Sequence, residues 1–425
     1  MRVLVTGANG FLGARIVAML RMAGHEPVLA VRRIESARGA AAVACDMARD
    51  HDAETWKPRL AGIDAVVNCA GILRQMHDDT FQSVHVDAPL ALFRACARSG
   101  VRRVIQISAL GEPADGEFIA SKHRCDTALA QLDLDWLVLR PGLVYSAHGA
   151  YGGTVLLRAL AALPGLLVLP RHGAQELQPF AAEDLARCVV AALAQPRARG
   201  EILETVGPEI LSLRAYLLAW RRWFGVGKPC IIATPQVLVD LTIACGEWWG
   251  RGPLCRVIGN LLQRRRVGSA QALARLQDVL GITPLTLSDA LAQRPMQAQD
   301  LLEARWYVLR PLALGVLALV WIASGVVGMV TPMTAAQAML PSLSPGGAHV
   351  LALGTSAVDM LLGVLLLSGW STRVVLQLML VMVLGYTVCI GVLAPQHWLD
   401  PFGGLLKNLP VAMLLLVLLL LQPRR

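Results

Sequence analysis

The chain has 425 residues, 55% hydrophobic and 16% charged, with a mean hydropathy of +0.53. That composition excludes a disordered chain, a collagen-like repeat and a small disulfide scaffold, and it is too poor in charge for a wholly soluble protein. The net charge of +9 comes from scattered basic residues apart from Arg264-Arg265-Arg266, a run expected to meet anionic lipid headgroups rather than nucleic acid.

Charge is unevenly spread. From residue 306 onward the only basic residues are Arg310, Arg373, Lys407, Arg424 and Arg425, and the only acids Asp359 and Asp400. The front therefore reads as a soluble domain and the back as membrane. The nine cysteines form no CxxC pair, so no metal site or disulfide framework is legible, and each reads as a small buried hydrophobe. Met1-Arg2-Val3-Leu4-Val5 runs straight into a glycine motif, too short for a hydrophobic targeting core, which points to a cytoplasmic front half.

Residues 2–6 read as a buried strand. Gly7-Ala-Asn-Gly10-Phe-Leu-Gly13 follows, and then a helical apolar pattern from Ala14 to Ala23 that stops at Gly24. Strand, glycine turn and helix in that order are the context a dinucleotide motif requires. Gly7 permits the turn, Gly10 lets backbone approach a pyrophosphate, and Gly13 lets helix and strand pack closely. The helix N-terminus offers free amides to the phosphates.

A second strand, Glu26–Val31, ends in Arg32-Arg33 where an NAD site would carry a ribose-binding acid. Two arginines favour a 2′-phosphate, hence NADP(H) over NAD(H), unless they are merely solvated loop residues. Further strands are expected at Ala42–Cys45, Asp64–Asn68, Arg103–Ser108 and Trp136–Arg140, with helices at Ser83–Ser99 and Phe118–Leu132. The alternation predicts an α/β fold with a doubly wound parallel sheet.

Several motifs in this order resemble the extended or atypical short-chain dehydrogenase/reductases, of the epimerase and complex-I accessory-subunit kind. They are Thr6-Gly-Ala-Asn-Gly-Phe-Leu-Gly13, Asp46-Met47, Asn68-Cys-Ala-Gly71, Ile107-Ser108-Ala-Leu, Ser121-Lys122, Arg140-Pro-Gly-Leu-Val-Tyr145 and Pro179-Phe-Ala-Ala-Glu-Asp184-Leu-Ala186. The resemblance covers roughly residues 1–230 and implies a Rossmann domain. It implies cofactor contacts from Thr6, Gly7, Asn9, Gly10, Phe11, Leu12 and Gly13. Arg32 and Arg33 would take the 2′-phosphate. Asp46 and Met47 would flank the adenine, and Ala70 and Gly71 the ribose side. Lys122 would hold the nicotinamide ribose, and Pro141 to Val144 would pass beside the nicotinamide.

The sequence departs from the family where its acid/base tyrosine should stand, four residues before the lysine. That position is Phe118, which has no proton to give. Ser108 and Lys122 remain as catalytic candidates, with Tyr145 or Tyr151 as possible substitutes for the missing hydroxyl. Asp184 is expected to cap a helix running to Leu193.

Residues 226–305 form a connector between the nucleotide-binding domain, 1–225, and the membrane domain, 306–425. Val237–Trp249 is too short and too charged to span, and reads either as an interfacial helix with Trp248-Trp249 at headgroup level or as a soluble core helix. A helix is expected over Gln271–Leu280 and a short element over Pro284–Leu291. Four apolar segments follow, Pro311–Val330, Val350–Gly369, Val374–Ala394 and Leu409–Leu421, giving an all-α four-helix transmembrane bundle. Arg305, Arg310, Arg373, Arg424 and Arg425 put both termini in the cytoplasm of an inner-membrane, multi-pass protein.

Asp359 falls in mid-span, where a carboxylate is costly and is a functional candidate by default, with Tyr386, Lys407 and Asn408 as candidate partners. Asp359-Met-Leu-Leu-Gly363, Tyr386-Thr-Val388 and the stretch from Trp398 to Pro410 resemble a DoxX-like domain, which implies redox chemistry near a membrane quinone. Two readings follow. One is a membrane-anchored NAD(P)(H)-dependent oxidoreductase or isomerase acting on a lipid-soluble substrate such as a quinone. The other is a non-catalytic nucleotide-binding sensor or assembly factor for a membrane complex.

Overall fold

A computed structural model describes residues 1–76, 78–195, 197–235, 237–241, 244, 267–339, 344–399 and 403–422. The chain divides into two compact units, Met1–Arg305 and Trp306–Arg425.

The first unit is built on seven parallel strands. In chain order these are β1 (Arg2–Thr6), β2 (Glu26–Val31), β3 (Ala42–Ala44), β4 (Ala65–Asn68), β5 (Arg103–Ile107), β6 (Asp135–Pro141) and, after several shorter elements, Glu201–Thr205. Their order across the sheet begins with Glu201–Thr205 and continues β6, β5, β4, β1, β2, β3. The direction of winding reverses between β1 and β4, which opens a crevice at the carboxyl ends of those strands. The expected α/β doubly wound sheet is therefore what the chain forms.

Both faces are buried, and the alternation of side chains along each strand decides which core a residue joins. Val3 and Val5 of β1, Ile105 of β5 and Leu137 of β6 enter one core with Ile16 and Leu20 of α1 (Phe11–Met22). Leu4, Val66, Val104 and Val138 enter the opposite core with Leu92, Phe93 and Cys125. A third core, around Tyr145, Tyr216 and Trp220, gathers the short elements that follow β6. The helix Ala272–Leu280 adds Leu276 and Leu280 to the first core, and the helix Leu287–Ala292 adds Leu287 and Leu291 to the third. The expected helix over Val237–Trp249, the run Arg264–Arg266 and residues Arg424 and Arg425 lie largely or wholly outside the described residues.

Several expectations are corrected. Asp184 does not cap its helix: Ala181 holds that position, and Asp184 sits in the first turn of Ala182–Ala194. There its buried carboxylate pairs with Arg187 and accepts from the backbone N–H of Leu285 at 2.9 Å, tying a distant loop to the sheet. Not every cysteine is buried: Cys230 and Cys389 are exposed.

Toward the C-terminus, Ala298–Val330, Pro345–Ser368 and Thr372–Val392 are long and apolar enough to cross a membrane. The first of these does not start at Pro311. It begins at Ala298, because residues 298–310 are good helix formers and a proline inside a long helix gives up only a local backbone bond. The fourth helix, Asn408–Leu420, has 13 residues, so at ~1.5 Å per residue it falls short of a ~30 Å hydrocarbon layer.

Small residues let the first two of these helices approach closely. A Cβ on Gly328 would collide with Oγ of Ser356, one on Gly325 would lie 2.6 Å from the Ser356 carbonyl oxygen, and one on Gly363 would lie 2.6 Å from Cγ1 of Ile322.

Candidate functional site

The crevice opened by the winding reversal is a cavity of about 710 Å³. Its floor is the turn between β1 and α1. Gly7 has φ +63°, and its carbonyl accepts from the N–H of Gly10 at 2.8 Å. Gly10 is the N-cap of α1; no side chain caps the helix, and no acid lies in its first turn. The first amides of α1 are thus left to an anion, with the positive end of the helix dipole behind them. Gly13 has another reason to be glycine: a Cβ there would strike the Gly7 carbonyl oxygen and come within 2.8 Å of Cα of Ala8.

Arg32 and Arg33 both line the cavity but are not equivalent. Arg32 is engaged by Asp79 at 2.5 Å and Asp46 at 3.5 Å. Among the described residues the Arg33 guanidinium makes no ion pair. Its carbonyl accepts from Ser36 Oγ at 2.6 Å, and Ser36 in turn accepts from Asn9 Nδ2 at 2.8 Å, so the glycine turn is pinned to the end of β2. Among the described lining residues the cations are Arg32, Arg33 and Lys122, and there is no carboxylate, a balance that suits an anionic ligand.

Lys122 comes from α2 (Glu117–Leu129) and is 4% exposed. Its ammonium donates to the carbonyl of Ala70 at 2.9 Å and, more weakly, to that of Ile107 at 3.3 Å. One of its three N–H groups remains for the cavity. Burial pushes its pKa down, opposed by Cys125, Asp126 and Cys69. Gly71 makes room for it, since a Cβ there would stand 3.1 Å from Nζ.

Ser108 also lines the cavity, but its proton is committed. Oγ donates to Oδ2 of the buried Asp126 at 2.7 Å, and Arg140 holds the same oxygen through Nε at 3.0 Å and Nη2 at 2.9 Å. Burial raises the Asp126 pKa, while Ser108 and Arg140 pull it back. As held here, Ser108 offers a cavity ligand lone pairs rather than a proton.

Phe118 lines the cavity one helical turn before Lys122, its ring edge-on to Phe81 and His85. His85 supplies no acid in its place. Burial drives its pKa down to about 2, and its Nε2 accepts from the N–H of Ile72 at 3.0 Å, which leaves Nδ1 to donate to Ser121.

Of the two tyrosines weighed as substitutes, Tyr145 is buried among Tyr216 and Trp220 and does not line the cavity. Tyr151 does line it, its ring stacked on Phe11 at 6.4 Å.

The cavity brings together Gly7, Asn9, Gly10, Phe11, Leu12, Gly13, Arg32, Arg33, Met47, Ala70, Gly71, Ser108, Lys122, Pro141 and Val144. Two of the expected contacts stand outside it. Thr6 is fully buried, with its hydroxyl on Asn68, and Asp46 turns to Arg32 and Arg49. Leu143 lies in the stretch from Pro141 to Val144 that sequence reasoning placed beside the nicotinamide, but that reasoning missed Leu110, Leu157 and Leu177 as lining residues. They lie on elements that only the fold brings to the crevice.

In the second unit Asp359 is 9% exposed and faces Tyr386 of the helix Thr372–Leu393. Ser356 and Gly363, three residues before and four after it, share its helix face. Asn408 is not its partner; it donates to Thr387 Oγ1 at 2.9 Å. Lys407 is exposed.

Comparison with known proteins places both units. Residues 3–204 match the NAD dependent epimerase/dehydratase family, and residues 318–416 match the DoxX-like family. An uncharacterised protein, Rv2047c of Mycobacterium tuberculosis, is 29% identical over 248 residues, 57% of this chain and 25% of its own. The photosystem II assembly factor Ycf39 of Synechocystis is 31% identical over 164 residues, 37% of this chain and 49% of its own. The chain thus spans a quarter to a half of the length of these relatives.

The first unit has the fold of UDP-glucuronic acid 4-epimerase from Bacillus cereus, solved with UDP-glucuronic acid and NAD. The TM-score is 0.50 and the identity 18%, over 69% of this chain and 97% of the other. The chain thus carries, in its first unit, a region similar to the NAD dependent epimerase/dehydratase family and, in its second, a region similar to the DoxX-like family.

Proposed function

We propose that the protein is a membrane-anchored NAD(P)(H)-dependent oxidoreductase that acts on a lipid-soluble substrate, quinones included. The observation that carries this reading is the cavity itself: an uncapped helix N-terminus, a glycine cradle that side chains would fill, and a buried lysine open on one wall.

These residues fit a dinucleotide. The amides of the turn from Gly7 to Gly13 would hold the pyrophosphate, with Met47 toward the adenine and Ala70 and Gly71 along the ribose. Lys122 would donate its remaining N–H to a ribose hydroxyl, and Pro141 to Val144 would flank the nicotinamide. When bound, the nicotinamide supplies or accepts a hydride. The chain's own part is to orient, to exclude water and to manage the proton.

NADP(H) is the preferred form in this reading, because among the described residues Arg33 has no carboxylate partner while Arg32 has two. Arg33→Ser is expected to weaken NADPH binding roughly 10- to 100-fold, the range for losing a charge-assisted hydrogen bond, and to leave NADH binding unchanged. Arg32→Ser is expected to cost less. Equal affinity of the wild-type protein for both nucleotides, measured by fluorescence titration, would contradict this preference.

The positive residues flanking the spans favour both termini on the cytoplasmic side of an inner membrane. A C-terminal tag labelled from the periplasmic side of intact cells would contradict that orientation.

A second reading is supported by Phe118 and by the committed proton of Ser108. In it the domain binds nucleotide without turnover and stabilises a membrane complex, a role for which the relative named as an assembly factor is a precedent. The full-length protein in lipid nanodiscs, supplied with NADPH and a series of ketone, aldehyde and quinone acceptors, separates the two. Steady NADPH oxidation supports the enzyme. Saturable binding without oxidation across the series supports the second reading.

A further inference from the structure

The wall of the cavity around Lys122 is made of hydrocarbon. Leu143, Leu157 and Leu177 reach it from the third core, Leu110 closes over Gly142, and Phe118 covers the remaining side. Polar atoms are few there. Ser108 presents lone pairs, Tyr151 a hydroxyl, and the Thr154 hydroxyl is spent on the Tyr151 carbonyl at 2.8 Å. Arg32 and Arg33 follow β2, on the side of the glycine turn, so among the described lining residues Lys122 is the one cation at this wall.

Lys122 is already bound to two carbonyls and faces the ribose in the reading above. A second diphosphate would therefore meet leucines. Burying its charges without partners is strongly unfavourable, whereas burying hydrocarbon there is favourable.

We infer that this end of the cavity takes an uncharged, mostly apolar ketone or alcohol and excludes nucleoside diphosphate sugars. The inference rests on the reading that the glycine-turn end holds the dinucleotide, and it names the substrate class for the other end. The alkyl portion of the ligand would lie among Leu143, Leu157 and Leu177, with the oxygen left toward the Lys122 side of the cavity.

The test titrates two probes, 2-undecanone and UDP-glucose, into the full-length protein in nanodiscs, with and without saturating NADPH. Binding is read by saturation-transfer NMR against empty nanodiscs. Leu110→Arg is the comparison variant, and its NADPH affinity reports whether the domain has folded.

The expected result is saturable binding of 2-undecanone, UDP-glucose binding at least 100-fold weaker, and at least 10-fold loss of ketone affinity in Leu110→Arg while NADPH still binds. UDP-glucose binding as tight as the ketone, or no ketone binding in either state, overturns the inference. Failure of NADPH to bind the wild-type protein would instead overturn the dinucleotide reading, and the two probes on the nucleotide-free protein would still decide between an apolar and a charged occupant.

Discussion

Gly13→Val is expected to abolish dinucleotide binding and to lower the thermal stability of the first unit. The backbone at Gly13 is helical, so conformation does not demand glycine there; space does. A Cβ would meet the Gly7 carbonyl oxygen and lie 2.8 Å from both Cα of Ala8 and the carbonyl carbon of Gly7, all backbone atoms that cannot swing aside. Helix α1 must back away from β1, which loosens Ile16 and Leu20, both essentially fully buried against Val3 and Val5. Overpacking of this kind costs about 1–3 kcal/mol and often more when backbone must move.

The same shift carries the uncapped amides off the anion position, so NADPH affinity should fall at least 100-fold. Gly24→Ala is the contrasting variant. Gly24 has φ +77° and nothing within 4 Å of its would-be Cβ. It should cost on the order of 1 kcal/mol in stability through backbone strain and leave NADPH affinity intact. Thermal melts and a nucleotide titration on both variants separate crowding at the site from a general loss of stability. Retained affinity in Gly13→Val would contradict the assignment of the turn.

Phe118→Tyr is expected to raise NADPH-dependent carbonyl reduction by roughly 10²- to 10⁴-fold, the usual yield of a positioned general acid. Position 118 lies one turn before Lys122 on the same face of α2, and both side chains line the cavity. Ser108 cannot fill the role while its proton is held by Asp126, and His85 is neutral across the physiological range with both ring nitrogens engaged. A tyrosine hydroxyl near the Lys122 ammonium would have its pKa lowered by the charge and could pass a proton to a developing alkoxide. The rate should then fall at high pH, as the tyrosine loses the proton it must give. Unchanged turnover in Phe118→Tyr with unchanged NADPH binding would mean that the proton arrives by another route, or that the domain does not turn over.

The sheet was legible because β1, β4, β5 and β6 are short apolar runs between glycine turns and amphipathic helices, a pattern that few folds satisfy. Whether Leu4 or Val3 faces a given helix follows from alternation alone. The glycine turn was legible for the same reason: its residues are contiguous and their spacing is set by backbone geometry.

What sequence could not show are contacts between residues far apart in it. β4 brings Asn68 against the Thr6 hydroxyl, and the end of β2 brings Arg32 to Asp46. Asp184 resembled a cap because acids favour first turns, but its partner N–H belongs to Leu285, 101 positions away. The apolar segment Pro311–Val330 is the later part of a longer helix; the charged residues before it hide from a hydropathy reading that the helix already starts at Ala298. In the apolar wall, Leu157 and Leu177 had no local signal, since in sequence each is an ordinary core leucine, whereas Leu110 and Leu143 stand inside motifs of the resemblance.

The central claim is that the crevice between β1 and β4 binds a dinucleotide. A fluorescence titration of the full-length, detergent-purified protein with NADPH and with NADH tests it most directly. Saturable binding at one site per chain is expected, tighter for NADPH, and lost in Gly13→Val. No saturable binding of either nucleotide by a folded wild-type protein would contradict it, and would leave the DoxX-like region joined to a dehydrogenase fold that has given up its cofactor.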